Sequence, residues 1–239
     1  MENDNFAAVI LAAGSSLRMG GVKKEFQKLK NSNLKDDSLK DANLTVLGSS
    51  VSAFAAFPSV KFIVIVVQEN GETAARQALP QDFLADCNFK LIFTAGGKTR
   101  CASVYNALCA LAPFNPGYVL IHDGARPWVS QALIKNTIDK VLTHDAVIPL
   151  LPLTDTPKEV QADDDTVFIK THLKRTSIGI AQTPQVFKFP EILKAHEKAA
   201  LENEEFTDDA EVWGRFIGKV AVVPGEPENR KITYMEDIN

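Results

Sequence analysis

Short runs of β-branched and aliphatic residues alternate with helical patterns along this chain, and this alternation restricts its fold most. The strand-like runs cover residues 7–11, 62–67, 91–93, 118–121 and 146–151. They are almost continuously apolar, as expected of strands that are covered on both faces. With helices between them, they predict an α/β fold with a single, mostly parallel sheet flanked by helices.

Helical patterns cover residues 45–57 and 99–111, and a third begins after Ser130, a residue type that favours helix N-caps. The apolar stripe predicted for this third helix consists of Leu133, Ile134, Ile138, Val141 and Leu142. Ligands of such folds bind beyond the carboxyl ends of the strands. We therefore expect the loops at Gly14, Gly96-Gly97 and Asp123 to meet at one edge of the sheet.

The chain has 239 residues, 45% of them hydrophobic, and a net charge of −4. This size suits a single domain over residues 1–239, and the acidic balance argues against bulk nucleic-acid binding. No apolar run approaches the roughly 20 residues of a membrane helix. The polar start, Met-Glu-Asn-Asp-Asn, does not resemble a signal peptide, so we expect a cytoplasmic protein.

The three cysteines, Cys87, Cys101 and Cys109, form no C-x-x-C pair, and their odd number argues against a disulfide framework. We expect Cys101 and Cys109 to be buried free thiols on one helix. The four histidines show no metal-ligand spacing, which argues against a zinc site.

Two segments interrupt the alternation. Residues 28–43 are polar with mixed charge, and we interpret them as a solvated insertion loop. Residues 152–178 contain two strand-like pieces around an acidic turn at residues 163–165, which predicts a projecting β-hairpin arm. A hairpin alone is marginally stable in water, so we expect the arm to pack on a second subunit.

The first loop, residues 12–16, contains only small side chains, and cations follow it at Arg18, Lys23 and Lys24. Such a backbone can approach a ligand closely and offer it N–H groups. Neither a dinucleotide-binding fingerprint nor a kinase-type phosphate loop is present. The pattern favours phosphate binding over an ordinary strand-to-helix turn, because the cations lie within reach.

The later loops are less specific. Gly96-Gly97 before Arg100 and Ser103 indicates a helix N-terminus, which can attract anions. A Gly-Gly pair before a helix is also common in loops that bind nothing. Asp123 and Arg126 fit a local ion pair. They equally fit a site in which Asp123 faces a metal–phosphate or a sugar hydroxyl while Arg126 faces a phosphate. Residues 182–185 indicate a polar turn, and residues 207–209 open a helix, for which capping is a sufficient explanation.

In their order along the chain, these motifs resemble the 2-C-methyl-D-erythritol 4-phosphate cytidylyltransferase family. The matching pieces are residues 11–20, 24–26, 96–104, 122–127, 155–158, Arg175, 182–187, 207–208 and 229–233. The resemblance implies a nucleotide-diphospho-sugar transferase-like, Rossmann-like fold. It also implies transfer of CMP from CTP to methylerythritol 4-phosphate, with Mg²⁺ and with a homodimer formed through the 152–178 arm.

The resemblance also assigns roles, residue by residue. The implied catalytic cations are Arg18, Lys24, Arg175 and Lys231. The implied nucleotide-binding residues are Ala12, Ala13, Gly14, Ser15, Gly97, Arg100 and Ser103. The implied substrate-binding residues are Asp123, Gly124, Ala125, Arg126, Thr156, Lys158 and Thr207. Asp123 is the implied protein ligand of a Mg²⁺ held mainly by phosphates, and Thr156 and Arg175 would serve the neighbouring subunit's site.

The chain departs from the family pattern beside Lys24, where Lys23 and Glu25 replace the usual Pro and Gln. We expect Glu25 to face solvent. A second, cyclase domain would require a longer chain, so we expect the single-function form.

Other functions stay open at this point. A ribitol-5-phosphate cytidylyltransferase has the same fold and reaction, although such relatives tend to have Ser-Val at Gly124-Ala125 and to lack Lys158. A sugar-phosphate uridylyl- or guanylyltransferase is more distant. A non-catalytic nucleotide-binding subunit is the alternative from another class, but loss of Arg18, Lys24 or Lys231 would be expected of it.

Overall fold

A computed structural model describes residues 5–16, 19–29, 44–81, 83, 88–202 and 204–238. Its strands, in chain order, are β1 Phe6–Leu11, β2 Val60–Val67, β3 Lys90–Ala95, β4 Tyr118–Asp123, β5 Ala146–Pro152, β6 Lys158–Asp163, β7 Thr166–His172, β8 Gly179–Ala181, β9 Gln185–Lys188 and β10 Ala221–Pro224. Its α-helices are α1 Val46–Ala55, α2 Glu72–Gln77, α3 Arg100–Leu111, α4 Gln131–His144, α5 Phe189–Ala199 and α6 Asp209–Phe216.

The main sheet confirms the predicted fold class. Its strands lie in the order β10-β5-β9-β4-β1-β2-β3, with β8 paired to β5. Neighbouring strands run parallel on both sides of β1, between β2 and β3, and between β10 and β5. The antiparallel strand β9 lies between β4 and β5, and the sequence did not predict it.

Both faces of the sheet are covered, as the continuous apolar runs predicted. In β1, Ala8 and Ile10 pack with α1 and α4 on one face. Ala7 and Val9 pack with α3, α5 and α6 on the other. The side chains of Thr45, Thr99 and Ser130 cap α1, α3 and α4 by accepting a bond from a backbone N–H in the first turn. These caps place the helix starts where the sequence predicted them.

Burial differs from the prediction at several positions. Leu142 is 47% exposed, because it lies at the edge of the stripe that α4 turns to the sheet. Cys101 is partly buried but Cys109 is exposed on α3, so the prediction of two buried thiols is wrong for Cys109. Leu29 is buried against Val46, which corrects the start of the predicted solvated loop. Residues 30–43 of that loop, and Cys87, lie outside the described residues.

The predicted arm is present as a separate two-stranded antiparallel sheet of β6 and β7. Its turn includes Asp164, whose φ of 48° is in the left-handed region that Asp tolerates. Val160, Val167 and Ile169 are between 55% and 64% exposed. Val160 pairs with Ile169 and Ala162 with Val167, so these side chains form one apolar face of the hairpin.

Candidate active site

The loops after β1, β3 and β4 meet at one edge of the sheet, as predicted, and enclose a cleft of about 710 Å³. The residues that line the cleft are Leu11, Ala13, Gly14, Ser15, Ser16, Lys24, Glu25, Gln68, Gly97, Lys98, Thr99, Arg100, Ser103, Asp123, Ala125, Lys231 and Thr233. The lining combines small side chains at residues 13–16 with the cations Lys24, Lys98, Arg100 and Lys231. This arrangement suits a phosphorylated ligand.

Two lysines fix the first loop and the turn that follows it. Lys23 Nζ donates a hydrogen bond to the Gly14 carbonyl oxygen at 2.8 Å. Lys24 Nζ donates to the Ile232 carbonyl oxygen at 2.9 Å, which joins the turn over residues 24–26 to a segment 208 residues later in the chain. Lys24 therefore lies where two distant segments meet at the cleft.

Glu25 does not face solvent, which corrects the expectation from sequence. It is 2% exposed, lines the cleft and accepts a 3.5 Å hydrogen bond from Ser16 Oγ. Burial raises the pKa of its carboxyl group, although Lys24 and Lys23 act in the opposite direction. The short helical turn over residues 24–26 points this side chain inwards, toward the loop of small residues.

The second loop ends at the start of α3. The Gly97 N–H donates to Ser103 Oγ at 3.0 Å, and Ser103 Oγ donates to the Thr99 carbonyl oxygen at 2.9 Å. A Cβ atom at Gly97 would lie 2.5 Å from Ala102 Cβ, so a side chain there would clash with the helix. The glycine is required for this close approach.

Asp123 is the electrostatic centre of the cleft. Its Oδ2 lies 3.0 Å from Lys231 Nζ and 3.4 Å from Arg126 Nε, and its Oδ1 lies 3.8 Å from Arg100 Nε. Burial alone would raise the pKa of Asp123, but these three cations outweigh it and hold the pKa well below its usual range. The carboxylate is therefore ionised and aligned at neutral pH.

Buried hydrogen bonds behind Asp123 fix the third loop and the late segment. Arg126 Nη1 donates to the Asn229 carbonyl oxygen at 2.7 Å. Asn229 Nδ2 donates to the Thr183 carbonyl oxygen at 2.8 Å, and Thr183 Oγ1 accepts from the Asp123 N–H at 3.1 Å. The loop predicted as a polar turn at residues 182–185 thus supports Asp123 through hydrogen bonds. Gln185 is not part of that turn, because it is the first residue of β9.

Most of the candidate site residues are brought together in the cleft. Those that line it are Ala13, Gly14, Ser15, Lys24, Gly97, Arg100, Ser103, Asp123, Ala125 and Lys231. Ala12, Gly124 and Arg126 support the lining residues without lining the cleft themselves. A Cβ atom at Gly124 would lie 2.8 Å from the Leu11 carbonyl oxygen, so this glycine allows β4 to approach β1 closely.

Other candidates lie away from the cleft or outside the described residues. Thr156, Lys158 and Arg175 are exposed on or beside the arm, where Arg175 Nη1 donates to the Thr154 carbonyl oxygen at 2.9 Å. The N–H and Oγ1 of Thr207 both donate to Glu211 Oε2 at the start of α6. Arg18 lies outside the described residues, so its role stays a prediction.

Sequence reasoning missed some residues of the cleft and of its support. Gln68 follows β2 directly, and its place at a strand end was the one signal that could have found it. Ser16 and Thr233 belong to segments that the sequence pattern singled out, residues 12–16 and 229–233, but neither was named as a site residue. Asp209 appeared sufficiently explained by helix capping, but the N-cap is Asp208, and Asp209 is a buried partner of Arg100 at 2.8 Å.

His122 is buried beneath the site, with its ring nitrogens 3.0 Å from Thr183 Oγ1 and 3.1 Å from the Arg126 carbonyl oxygen. Burial lowers its pKa to about 4. In the unfolded chain a histidine titrates near 6.5, so between these values only the unfolded state takes up the proton. Stability is therefore lost as pH falls, by about 3 kcal/mol on reaching pH 4.

We expect His122→Gln to flatten this part of the stability curve, measured by urea unfolding between about pH 7 and pH 4.5. The exposed His144 supplies a matched control, His144→Gln, which should keep the wild-type slope. An unchanged slope in His122→Gln would assign the acid sensitivity to the buried carboxylates instead.

Within the described ranges, no three His, Cys, Asp or Glu side chains converge as metal ligands. The same residues contain no helix that is long and apolar enough to cross a bilayer.

A family model described as 2-C-methyl-D-erythritol 4-phosphate cytidylyltransferase matches residues 6–239. The chain belongs to this family. The match extends over nearly the whole chain, as the order of the motifs predicted, and it includes the cleft and the arm.

Proteins of similar sequence support the assignment to the cytidylyltransferase family. The chain is 37% identical over 236 residues to the bifunctional enzyme IspD/IspF of Bartonella henselae, an alignment that covers 98% of this chain and 55% of that protein. It is 36% identical over 236 residues to the protein of the same name from Brucella anthropi, covering 97% of this chain and 53% of that protein. The chain thus spans about half the length of the curated relatives it matches.

Solved structures agree as well. The 4-diphosphocytidyl-2C-methyl-D-erythritol synthase of Anaerococcus prevotii superposes with a TM-score of 0.77 at 30% identity, covering 98% of this chain and 92% of that one. The cytidylyltransferase IspD of Francisella tularensis superposes with a TM-score of 0.75 at 27% identity, covering 98% and 96%. The arrangement of this sheet and its helices is therefore that of the family.

Proposed function

We propose that this chain transfers CMP from CTP to 2-C-methyl-D-erythritol 4-phosphate. The products are 4-diphosphocytidyl-2-C-methyl-D-erythritol and pyrophosphate. One observation carries the proposal: in a member of the cytidylyltransferase family, the loop of small residues, the start of α3 and the Asp123–Lys231 pair line one cleft.

The reaction joins two polyanions, so repulsion between them is the main obstacle. An oxygen of the substrate phosphate attacks the α-phosphorus of CTP as the bond to the bridging oxygen breaks, and pyrophosphate leaves with the electron pair. The attacking oxygen is already ionised and needs no general base. The residues must therefore hold both phosphates in line and neutralise charge, which is the task of cations rather than of a proton-transfer dyad.

The chain's own groups divide this work. The backbone of residues 13–15 and the ordered start of α3 receive the nucleotide phosphates, because small residues leave N–H groups accessible there. Lys24 and Lys231 supply positive charge from two segments that are distant in sequence and meet at the cleft. Asp123 orients Lys231 and can accept a hydrogen bond from a substrate hydroxyl. Arg18 completes this set in the proposal.

The residues of the cleft fit a Mg²⁺ ion that is held mainly by phosphate oxygens. Asp123 is ionised, but three cations already share its oxygens. Glu25 is the other carboxyl group among the described residues that line the cleft, and burial raises its pKa, so phosphate oxygens would supply most of the ligands. Mg²⁺ commonly binds through one or two carboxylates together with phosphates and water. When bound, the ion supplies additional charge neutralisation at the phosphates.

We propose that the arm joins two copies of the chain. Its apolar face of Val160, Val167 and Ile169 is exposed, and an isolated hairpin gains little stability alone. Thr156, Lys158 and Arg175 lie beside the arm and outside the cleft of their own chain, which supports a role in the partner's site. A cytoplasmic location stays a prediction.

Pyrophosphate release from CTP and Mg²⁺ tests the function, with methylerythritol 4-phosphate and ribitol 5-phosphate as competing acceptors. We expect strong preference for the first. Preference for ribitol 5-phosphate would keep the reaction and correct the acceptor. No release with either acceptor, from folded protein that still binds CTP, would favour a non-catalytic nucleotide-binding subunit.

Mixing two inactive variants tests the arm. If Arg175 acts in the partner's site, a heterodimer of Lys24→Ala and Arg175→Ala chains contains one intact site and one doubly defective site. After exchange of subunits, roughly a quarter of the wild-type activity should return. Activity that stays at the level of the separate variants would place Arg175 in the site of its own chain or outside the mechanism.

A further inference from the structure

A line of polar contacts leads from the cleft into the protein interior. Arg100 lies at the cleft, with its Nε 3.8 Å from Asp123 Oδ1 and its Nη2 2.8 Å from Asp209 Oδ2. Asp209 Oδ1 lies 3.2 Å from His196 Nε2, and His196 Nδ1 lies 3.5 Å from Cys101 Sγ. Asp209 and His196 are fully buried. The nucleotide site is thus connected to groups that no ligand can touch.

Arg100 is shared between carboxylates, and nucleotide phosphates entering the cleft must compete for it. A buried carboxylate has lost its hydration and needs positively charged partners to offset that loss. Asp209 therefore pairs strongly with any neighbouring cation. With a single cationic partner, Asp209 would hold Arg100 more tightly and withdraw it from the cleft. A second cation beside Asp209 weakens that demand.

His196 provides this second cation. Burial alone would lower its pKa, but its contacts with Asp209 and Cys101 outweigh burial and raise the pKa to about 9. The groups that face the ring are the Cys101 thiol from α3 and the Asp209 carboxylate from α6, with Arg100 beyond Asp209. At neutral pH both ring nitrogens therefore carry protons, and Nε2 points at Asp209.

We propose that His196 is a positioning residue that keeps Arg100 available to the nucleotide by giving Asp209 a second positive partner. The identity of the nucleotide, CTP, rests on the proposed function. His196 touches no ligand and acts through Asp209 and Arg100. A packing role alone would not make nucleotide affinity depend on the charge of the ring.

The matched variant is His196→Gln, since a glutamine Nε2 can donate a hydrogen bond to Asp209 without a charge. We expect its Kd for CTP, measured by calorimetry near neutral pH, to rise about tenfold, the value of one charge-assisted hydrogen bond. The wild-type Kd should rise as pH increases through about 9, while that of His196→Gln should stay level from about pH 7.5 to 9.5. His144→Gln should behave like the wild type.

The effect of the thiol must be separated from that of the imidazole, because Cys101 Sγ lies 3.5 Å from His196 Nδ1. The Kd of Cys101→Ser for CTP should still rise as pH increases. The midpoint of this rise should lie at a lower pH than in the wild type, because one contact of His196 is weakened. Should His196→Gln fail to fold, the comparison of wild type with Cys101→Ser is sufficient. A wild-type Kd that stays level over this range, or one that is level in Cys101→Ser, would overturn the proposal.

The outcomes also distinguish the two proposals. Wild-type affinity and pH dependence in His196→Gln would overturn the role of His196 alone. Protein that binds CTP with the expected pH dependence, yet releases no pyrophosphate with either acceptor, would contradict the proposed function alone. Absence of CTP binding in the wild type would contradict both.

Discussion

Lys24→Ala is expected to lower kcat for pyrophosphate release by about 10²–10³, the loss typical of one preorganised group that stabilises transition-state charge. Lys24 lines the cleft, and its ammonium group is held by the Ile232 carbonyl oxygen. Such a fixed cation needs little reorganisation when charge develops at the α-phosphorus. Alanine removes both the charge and the link between the turn over residues 24–26 and residues 229–233.

The control for this loss is Lys135→Ala, which removes an equally charged side chain from the exposed surface of α4. It should keep wild-type kcat, and both variants should unfold at the same urea concentration as the wild type to within a small shift. We expect Arg18→Ala to lose turnover to the same extent as Lys24→Ala. Wild-type turnover in Lys24→Ala would remove this residue from the mechanism.

Asp209→Ala is expected to lower the free energy of unfolding by about 3 kcal/mol at neutral pH, because it leaves the buried His196 and the partly buried Arg100 without their counter-charge. Asp209 is fully buried between Arg100 and His196, and its N–H donates to Gln185 Oε1 at 3.1 Å. Loss of the proton from His196 limits the penalty but does not restore the pairing of Arg100. Urea unfolding measures this loss.

The chain offers a matched aspartate for comparison. Asp139 also pairs with a cation, Lys135, but the two side chains are 57% and 66% exposed. Asp139→Ala should cost at most about 0.5 kcal/mol, as is usual for surface pairs. Equal losses in Asp209→Ala and Asp139→Ala would contradict the assignment of Asp209 as a buried, compensated charge.

The parallel strands could be predicted from sequence because burial on both faces requires continuous apolar runs, and β1 and β2 show them. The edge of the sheet that carries the cleft could be predicted from the order of strands and helices alone. Strand β9 could not be predicted, because it has four residues and its position between β4 and β5 depends entirely on distant partners.

The site was predictable to the extent that its signals were local. The role of the small residues before Lys24 and of the glycines before α3 can be predicted from their immediate neighbours in the sequence. The roles of Glu25 and Asp209 cannot be predicted in this way, because their burial is produced by segments far away in sequence. A charged residue beside a helix cap looks solvated until its partner, here Arg100, is located in three dimensions.

The two ends of the arm are neighbours. Leu150 pairs with Ala181 and Pro152 with Gly179, so the chain leaves the main sheet and returns to it at adjacent positions. Everything between them can lengthen, shorten or change sequence without altering the register of the strands that carry the cleft. The arm is therefore an exchangeable module: evolution or a designer can change the surface that it presents while leaving the cleft-bearing sheet as it is.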